Sequence, residues 1–506
     1  MPWKSAVAVG RAYDLLRDDI LNHLAILKRE IGFKMLRYHA IFHDDMNVYE
    51  EDSSGKQKYN WHQLDKIFDR TIEMGYAHIV ELNPMPSAIA SGTETMFHYG
   101  MNVTPPSDYN KWEALVRALV GHLSDRYGVA QVSKWYFEVW NEPDLPCFWT
   151  SSMGEYFKLY EVSAKAVKSV DVNFKVGGPA TSKCLWISEF LDFCHQKNVP
   201  VDFISTHLYP QDEYVLYPNR IKSPYQPGMF YIEKIKSLKE KIANSKFPDI
   251  PVFLTEWNTL SGHPKRDVAW VGNPDADGLY AASKICHLCA NLDSNLDLMT
   301  WWVGSDVFEE SGIPNAPFSS NYGLLSVRGT PKSSFNAFKF LSKMTGYLLE
   351  VQHEANDFPN LAGLLATCEN SRIKVLLWNF VPHECAYPKL WDDTISIELP
   401  DSIKSDNPIK LIRSLLTAGN GSAYETWLKL GTPLNPSRME EELLSAHSIP
   451  LYSVSEINTV KGEFVFNISL APHVVLYMEI SGGSRCDSPN YVNLNYLNSK
   501  LSGISA

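Results

Sequence analysis

Between residues 5 and 343, short apolar runs alternate eight times with amphipathic stretches, and this alternation limits the folds open to the chain. The apolar runs fall at 5–9, 35–38, 78–82, 135–140, 175–178, 203–207, 252–256 and 298–302. The stretches of helical period fall at 15–31, 61–74, 109–127, 153–170, 185–197, 232–243, 278–292 and 333–343. Ser107 or Asp108 is the expected cap of the third. Strands that regularly alternate with helices form a parallel sheet, because each helix carries the chain back to the end at which the previous strand began. Eight units suit a closed barrel. An open doubly wound sheet is the alternative, but it usually has fewer units, and the glycine-rich phosphate loop of its nucleotide-binding form is missing.

After Gly346 the pattern changes to period two. Strands are predicted at 361–367, 373–380, 394–399, 409–415, 462–468 and 474–480, with a turn at Glu369-Asn370-Ser371 and a helix at 438–446. The expected fold class is α/β: a (β/α)8 TIM barrel at 1–345, then a C-terminal antiparallel β-sandwich domain at 346–480. Residues 481–506 read as a polar tail, either loose or docked on a partner subunit in a homo-oligomer.

Composition narrows the function classes. The formal net charge of −12 repels phosphate backbones, so nucleic acid is not an expected partner. No apolar window is long enough to span a bilayer and no signal-peptide core is present, which predicts a cytoplasmic protein without a membrane partner. Cys286 and Cys289 form a lone C-x-x-C without the second pair that a zinc site needs, and read as reduced core residues. Sequons at Asn102, Asn420 and Asn467 are uninformative without a secretion signal.

In such a barrel, chemistry lies at the C-terminal ends of the strands. Strand 4 runs into Trp140-Asn141-Glu142-Pro143, and strand 7 ends Thr255-Glu256-Trp257-Asn258. Two carboxyls on nearly opposite strands suit glycoside hydrolysis, in which one protonates the leaving oxygen and the other attacks carbon or activates water. Such a pair must differ in pKa, so that one stays protonated near neutrality. Asn141 can bond a sugar hydroxyl beside the reacting carbon, and Arg37 can hold Glu256 ionised. His39, His207 and Tyr209 can bind hydroxyls or orient a carboxylate, and Trp302, Phe97 and Trp149 can stack on a pyranose ring. Glu81 and Glu138, also at strand ends, read as salt-bridge partners. A metal held by His39, His207, Glu142 and Glu256 is the competing reading; it leaves the aromatics and Asn141 unexplained.

At these residues the chain resembles the clan A glycoside hydrolases. It is more closely similar to glycoside hydrolase family 39 and its bacterial β-xylosidases. The resemblance is carried by Tyr59-Asn60-Trp61, Met85-Pro86 with Ala90-Ser91-Gly92-Thr93, the run 100–106 with its Asn102-Val103-Thr104-Pro105-Pro106, and residues 139–145. Residues 175–179, 200–207 and 305–310 carry it further. It spans the barrel and continues more weakly into the sandwich. It implies a retaining, two-step mechanism with Glu142 as acid/base, Glu256 as nucleophile, and no cofactor. It also implies that His39, Asn141, His207, Tyr209, Trp302 and Glu309 line the sugar subsite, with Phe97 an aromatic near it. Tyr38 and Val303-Gly304 depart from the expected pattern and can reshape the pocket.

The implied activity is removal of β-1,4-linked xylose from the non-reducing end of xylo-oligosaccharides. The family also contains an α-L-iduronidase, but a uronate needs a cation. The loop after strand 8 offers Glu309 and Glu310 instead, and Lys265 and Arg266 are the nearest cations in the sequence. An arabinosidase, a β-glucosidase and a non-catalytic sugar-binding protein are the remaining alternatives.

Overall fold

The computed structural model describes residues 1–217, 224–260, 272–292, 295–308, 312–353, 361–385, 389–399, 403, 409–457 and 463–482. Eight strands form a closed parallel barrel. They are β1 (Ala6–Arg11), β2 (Met35–His39), β3 (Ala77–Leu82), β4 (Tyr136–Val139), β5 (Lys175–Thr181), β6 (Phe203–Leu208), β7 (Val252–Trp257) and β8 (Leu298–Trp301), with β8 pairing back onto β1. The covering helices are α1 (Asp18–Glu30), α2 (His62–Glu73), α3 (Tyr109–Tyr127), α4 (Met153–Val170), α5 (Ile187–Lys197), α6 (Phe230–Ala243), α7 (Leu279–Leu292) and α8 (Ser333–Leu341). The Asp108 side chain caps α3 by accepting from Asn110 N, so Asp108 takes the role rather than Ser107. Among the described residues no helix is long and apolar enough to cross a membrane.

Side chains alternate across each strand, so odd and even positions face different surroundings. In β2, Leu36 and Tyr38 face the helices and join the main core, while Met35, Arg37 and His39 face the barrel axis. The axis is filled in layers. The bottom layer is apolar: Ala6, Met35, Ile79, Tyr136, Phe203, Phe253 and Leu298. One step up each strand, Arg37, Glu81 and Glu138 form a polar layer that is shut off from solvent. A further step reaches His39, His207, Glu256 and Trp302 at the open end. The register shifts at Thr206/His207 in β6 and between Leu254 and Trp257 in β7, and the shifted strands place His207 beside Glu256.

Among the described residues the C-terminal region contains seven long strands. They are β9 (Leu361–Glu369), β10 (Arg372–Phe380), β11 (Trp391–Glu398), β12 (Ile409–Ala418), β13 (Leu451–Ile457), β14 (Glu463–Leu470) and β15 (Val475–Gly482). The larger sheet carries β9-β10-β15-β12-β13 and the smaller one pairs β11 with β14; these long pairings are antiparallel. The β9–β10 hairpin turns at Asn370 and Ser371, both with positive φ, as a two-residue turn of this hand requires. The sheets face each other across Ile373, Val375 and Leu377 of β10, Trp391, Ile395 and Ile397 of β11, and Phe464 and Ile468 of β14.

The other face of the larger sheet is also buried. Leu376, Trp378 and Phe380 of β10, Leu416 of β12, and Val475 and Tyr477 of β15 join the barrel's own core cluster. Strand β13 and the helix Tyr424–Lys429 were not predicted; the helix Arg438–His447 was, and Ser437 and Glu440 form its capping box. All but the first two residues of the 481–506 tail lie outside the described residues.

Candidate active site

Arg37 is the hub of the site. It has no exposed surface, and its guanidinium donates to Glu138 Oε2 at 2.6 Å, to Glu256 Oε1 at 2.7 Å and to Asn141 Oδ1 at 3.0 Å. Its Nη2 also lies 2.6 Å from Glu81 Oε2. Glu81 and Glu138 face each other across β3 and β4, where like charges repel; the planar fork of one arginine holds both. Burial lowers the pKa of Arg37, but Glu138, Glu81 and Glu256 outweigh it and raise it overall. Burial would likewise raise Glu138, and Arg37 and His207 more than offset it, so its carboxyl sits below the usual range.

His39 follows on the same face of β2. Burial opposes its charge, yet Glu81, bonded to its Nδ1 at 2.7 Å, and Glu256, 3.7 Å from its Nε2, raise it overall. Its ring lies 4.6 Å from that of Trp302, which is buried at the end of β8. The Tyr209 hydroxyl donates to Glu256 Oε2 at 2.8 Å. Glu256 therefore accepts from Arg37 on one oxygen and from Tyr209 on the other, and both bonds favour its ionised form. Burial, helped by Glu142, outweighs the pull of His207, Arg37 and His39, so its pKa is raised overall.

Glu142 lies beyond the end of β4 in a left-handed conformation, φ 43°, and its N–H donates to Ala180 O at 2.9 Å. This bend after Trp140, also left-handed at φ 69°, turns the carboxyl back over the barrel mouth. His207 Nδ1 lies 3.0 Å from Glu142 Oε1, and Arg37 Nη2 lies 3.4 Å from His207 Nε2. Arginine can only donate, so Nε2 accepts and Nδ1 carries the proton that bonds Glu142. Burial lowers the pKa of that imidazole, against the pull of Glu256. Burial, reinforced by Asp144, pushes Glu142 up to about 8. Glu142 is thus held protonated near neutrality, while the Arg37 cation and the Tyr209 hydroxyl both donate to Glu256.

One donor atom from each of Glu142, His207 and Glu256 lie within 4.8 Å of one another, a spacing that can hold a cation. The bonds already made disfavour that use. Both ring nitrogens of His207 and both oxygens of Glu256 are committed within the protein, and the Arg37 cation is already bonded to Glu256.

A sequence model of glycosyl hydrolases family 39 matches residues 1–464. The chain belongs to glycoside hydrolase family 39. It is 33% identical to a beta-xylosidase of Geobacillus stearothermophilus, over 97% of this chain and 95% of the relative. It is 34% identical to a beta-xylosidase of Caldicellulosiruptor saccharolyticus, over 95% of each chain. Its fold matches the crystal structure of a monomeric beta-xylosidase from Caulobacter crescentus with a TM-score of 0.82 at 26% identity, covering 96% of this chain and 97% of that one.

Within this family 39 enzyme the structure brings together Arg37, His39, Asn141, Glu142, His207, Tyr209, Glu256 and Trp302. Phe97 is not joined to them by any hydrogen bond or ring contact among the described residues. It packs against Tyr99 and Phe148 in the loops after β3 and β4. Trp149 is no platform for sugar: it is buried, packs on Trp140 and Tyr156, and donates to Ser152 O. Tyr38 does not reshape the pocket, because it faces the helices and bonds His78. Glu309, Glu310, Lys265 and Arg266 lie outside the described residues. The sequence reading missed Asp144 and Lys183, which both act on Glu142. The acid two places after Glu142 was the available signal; Lys183 left none.

Proposed function

We propose that this glycoside hydrolase is a retaining, exo-acting β-xylosidase that removes single xylose units from the non-reducing ends of β-1,4-linked xylo-oligosaccharides. The observation that carries the reading is the carboxyl pair, with oxygens of Glu142 and Glu256 within 4.8 Å. Retaining glycosidases hold their carboxyls about 5–5.5 Å apart, and inverting ones about 6.5–9.5 Å to admit a water. The beta-xylosidase relatives along nearly the full chain support the sugar.

In the first step, Glu142 gives its proton to the glycosidic oxygen while Glu256 attacks the anomeric carbon. The carbon–oxygen bond breaks, the shortened oligosaccharide leaves, and a glycosyl ester forms on Glu256. Esterification removes the Glu256 charge that Glu142 feels, so Glu142 becomes the stronger acid. As a carboxylate it then takes a proton from water, whose oxygen attacks the anomeric carbon; the bond to Glu256 breaks, freeing xylose and restoring the Glu256 carboxylate. Arg37 takes up the Oδ1 of Asn141, leaving its NH₂ to donate to the sugar hydroxyl beside the anomeric carbon. Trp302, His39 and Tyr209 wall the sugar, and Glu309 is assigned to its hydroxyls by family resemblance.

The test is release of 4-nitrophenol from β-D-xyloside, α-L-arabinoside, β-D-glucoside and α-L-iduronide, with wild type and Glu256→Ala. A xyloside preference that the substitution lowers by about 10⁴-fold or more supports the reading. A different preferred sugar replaces the substrate and keeps the chemistry. Binding without turnover of any sugar points to a sugar-binding protein.

A further inference from the structure

The end of β5 and the loop after it are built in an unusual way. Ala180, Lys183, Cys184 and Trp186 all take positive φ, between 53° and 61°, though none is glycine. Such backbone is strained in residues other than glycine, and clusters of it mark functional segments. The loop is tied to the segment that carries Glu142. Ala180 O accepts from Glu142 N, and Ser182 N donates to Asp144 Oδ1 at 2.8 Å. Ser182 Oγ bonds Asp144 Oδ2 at 2.5 Å, and Lys183 Nζ bonds the same Oγ. An ammonium, a hydroxyl and a carboxylate thus form one hydrogen-bonded chain two residues from the proton donor.

We propose that Asp144 and Lys183 are a tuning pair for Glu142: the carboxylate holds the proton on, the ammonium opposes it, and Ser182 fixes the balance. The inference rests on Glu142 being the proton donor of the reading above. Other groups face Glu142 from the neighbouring strands: His207 and Asp212 from β6 and its loop, Glu256 from β7, and Arg37 and His39 from β2. Those residues belong to the sugar-binding and nucleophile side or are buried with it. Asp144 and Lys183 are half-buried on the loops beside Glu142, so they can change its proton affinity without touching the nucleophile. Charges of opposite sign beside a carboxyl move its proton affinity in opposite directions. In a retaining glycosidase the proton donor works on the leaving group, so the pair sets how far into alkaline pH an unactivated leaving group can still be expelled.

The experiment is kcat/KM for xylobiose against pH, in wild type, Asp144→Asn, Lys183→Met, Lys183→Arg and Glu142→Gln. Asp144→Asn keeps an oxygen for Ser182 and removes the charge; it should move the alkaline limb down by about 0.5–1 unit. Lys183→Met should move it up by a similar amount, and Lys183→Arg should restore the wild-type limb. Opposite shifts are a signature that a merely structural role does not give. Unmoved limbs, or shifts in one common direction, overturn the tuning pair while Glu142→Gln still abolishes xylobiose cleavage. If Glu142→Gln cleaves xylobiose normally, the underlying reading falls and the pair with it.

Discussion

Arg37 is one guanidinium facing three carboxyls, Glu81, Glu138 and Glu256, in a layer shut off from solvent. Arg37→Met leaves those acids buried together without their cation. Breaking a buried ion pair on one side costs about 3–5 kcal/mol, so the denaturant midpoint falls accordingly. In the folded fraction Glu256 loses a cation that lowers its pKa, and the acid limb of kcat/KM moves to higher pH. An unmoved acid limb contradicts the assigned link. Glu142 gives a prediction of opposite sign for stability. Its carboxyl stays protonated in the fold up to about 8 but ionises near 4.5 when unfolded. Between those values unfolding releases a proton, so stability falls as pH rises, by about 1.4 kcal/mol per unit. Glu142→Gln has no proton to release there. Its thermal midpoint should therefore gain more over wild type at pH 8 than at pH 5; an equal difference at both contradicts the raised pKa.

At the scale of elements, the eight strands and eight helices were legible because each barrel unit repeats the same change of period. Strand ends were legible too, which is why Glu142, Glu256, His207 and Tyr209 could be expected together at one end of the barrel. Side-chain direction was less so. Tyr38 and Arg37 are neighbours in one strand, and only a known register separates the pocket face from the helix face. Trp149 illustrates the same limit: a tryptophan on a catalytic-face loop is a stacking platform or core, and packing on Trp140 and Tyr156 decided for core. Strand β13 was missed because it is an edge, with Leu451, Tyr452 and Val454 exposed and no buried face to give alternation. Lys183 was invisible because its position depends on left-handed backbone at residues that do not advertise it. The β5–β6 pairing offers a direct test of packing inside the barrel. A Cβ at Gly177 would meet Phe203 O at 2.4 Å and the Phe203 ring at 2.6 Å. Gly177→Ala must push β5 from β6, and overpacking of this kind costs about 1–3 kcal/mol. A variant with an unchanged denaturant midpoint would show that the strands part without cost.

Across the whole molecule, the C-terminal sheets are packed on the barrel by residues that alternate with their own core. In β10, Val375 and Leu377 face the other sheet, and Leu376 and Trp378 face the barrel. Period-two patterning announces a strand, but a strand apolar on both faces also announces a second partner, here the barrel. Trp378→Ala should cost about 3–5 kcal/mol, read from chemical denaturation, because it empties a site at that junction. A loss below 1 kcal/mol would mean that the barrel and the sheets are energetically independent. The catalytic account, in turn, depends on two carboxyls set close enough for one to attack and the other to donate. The measurement that tests it most directly is the anomeric form of the first xylose released, followed by proton NMR during rapid hydrolysis of 4-nitrophenyl β-D-xyloside before mutarotation. The carboxyl spacing predicts β-xylose as the first product. α-Xylose appearing first would mean direct attack by water, and would contradict Glu256 as nucleophile.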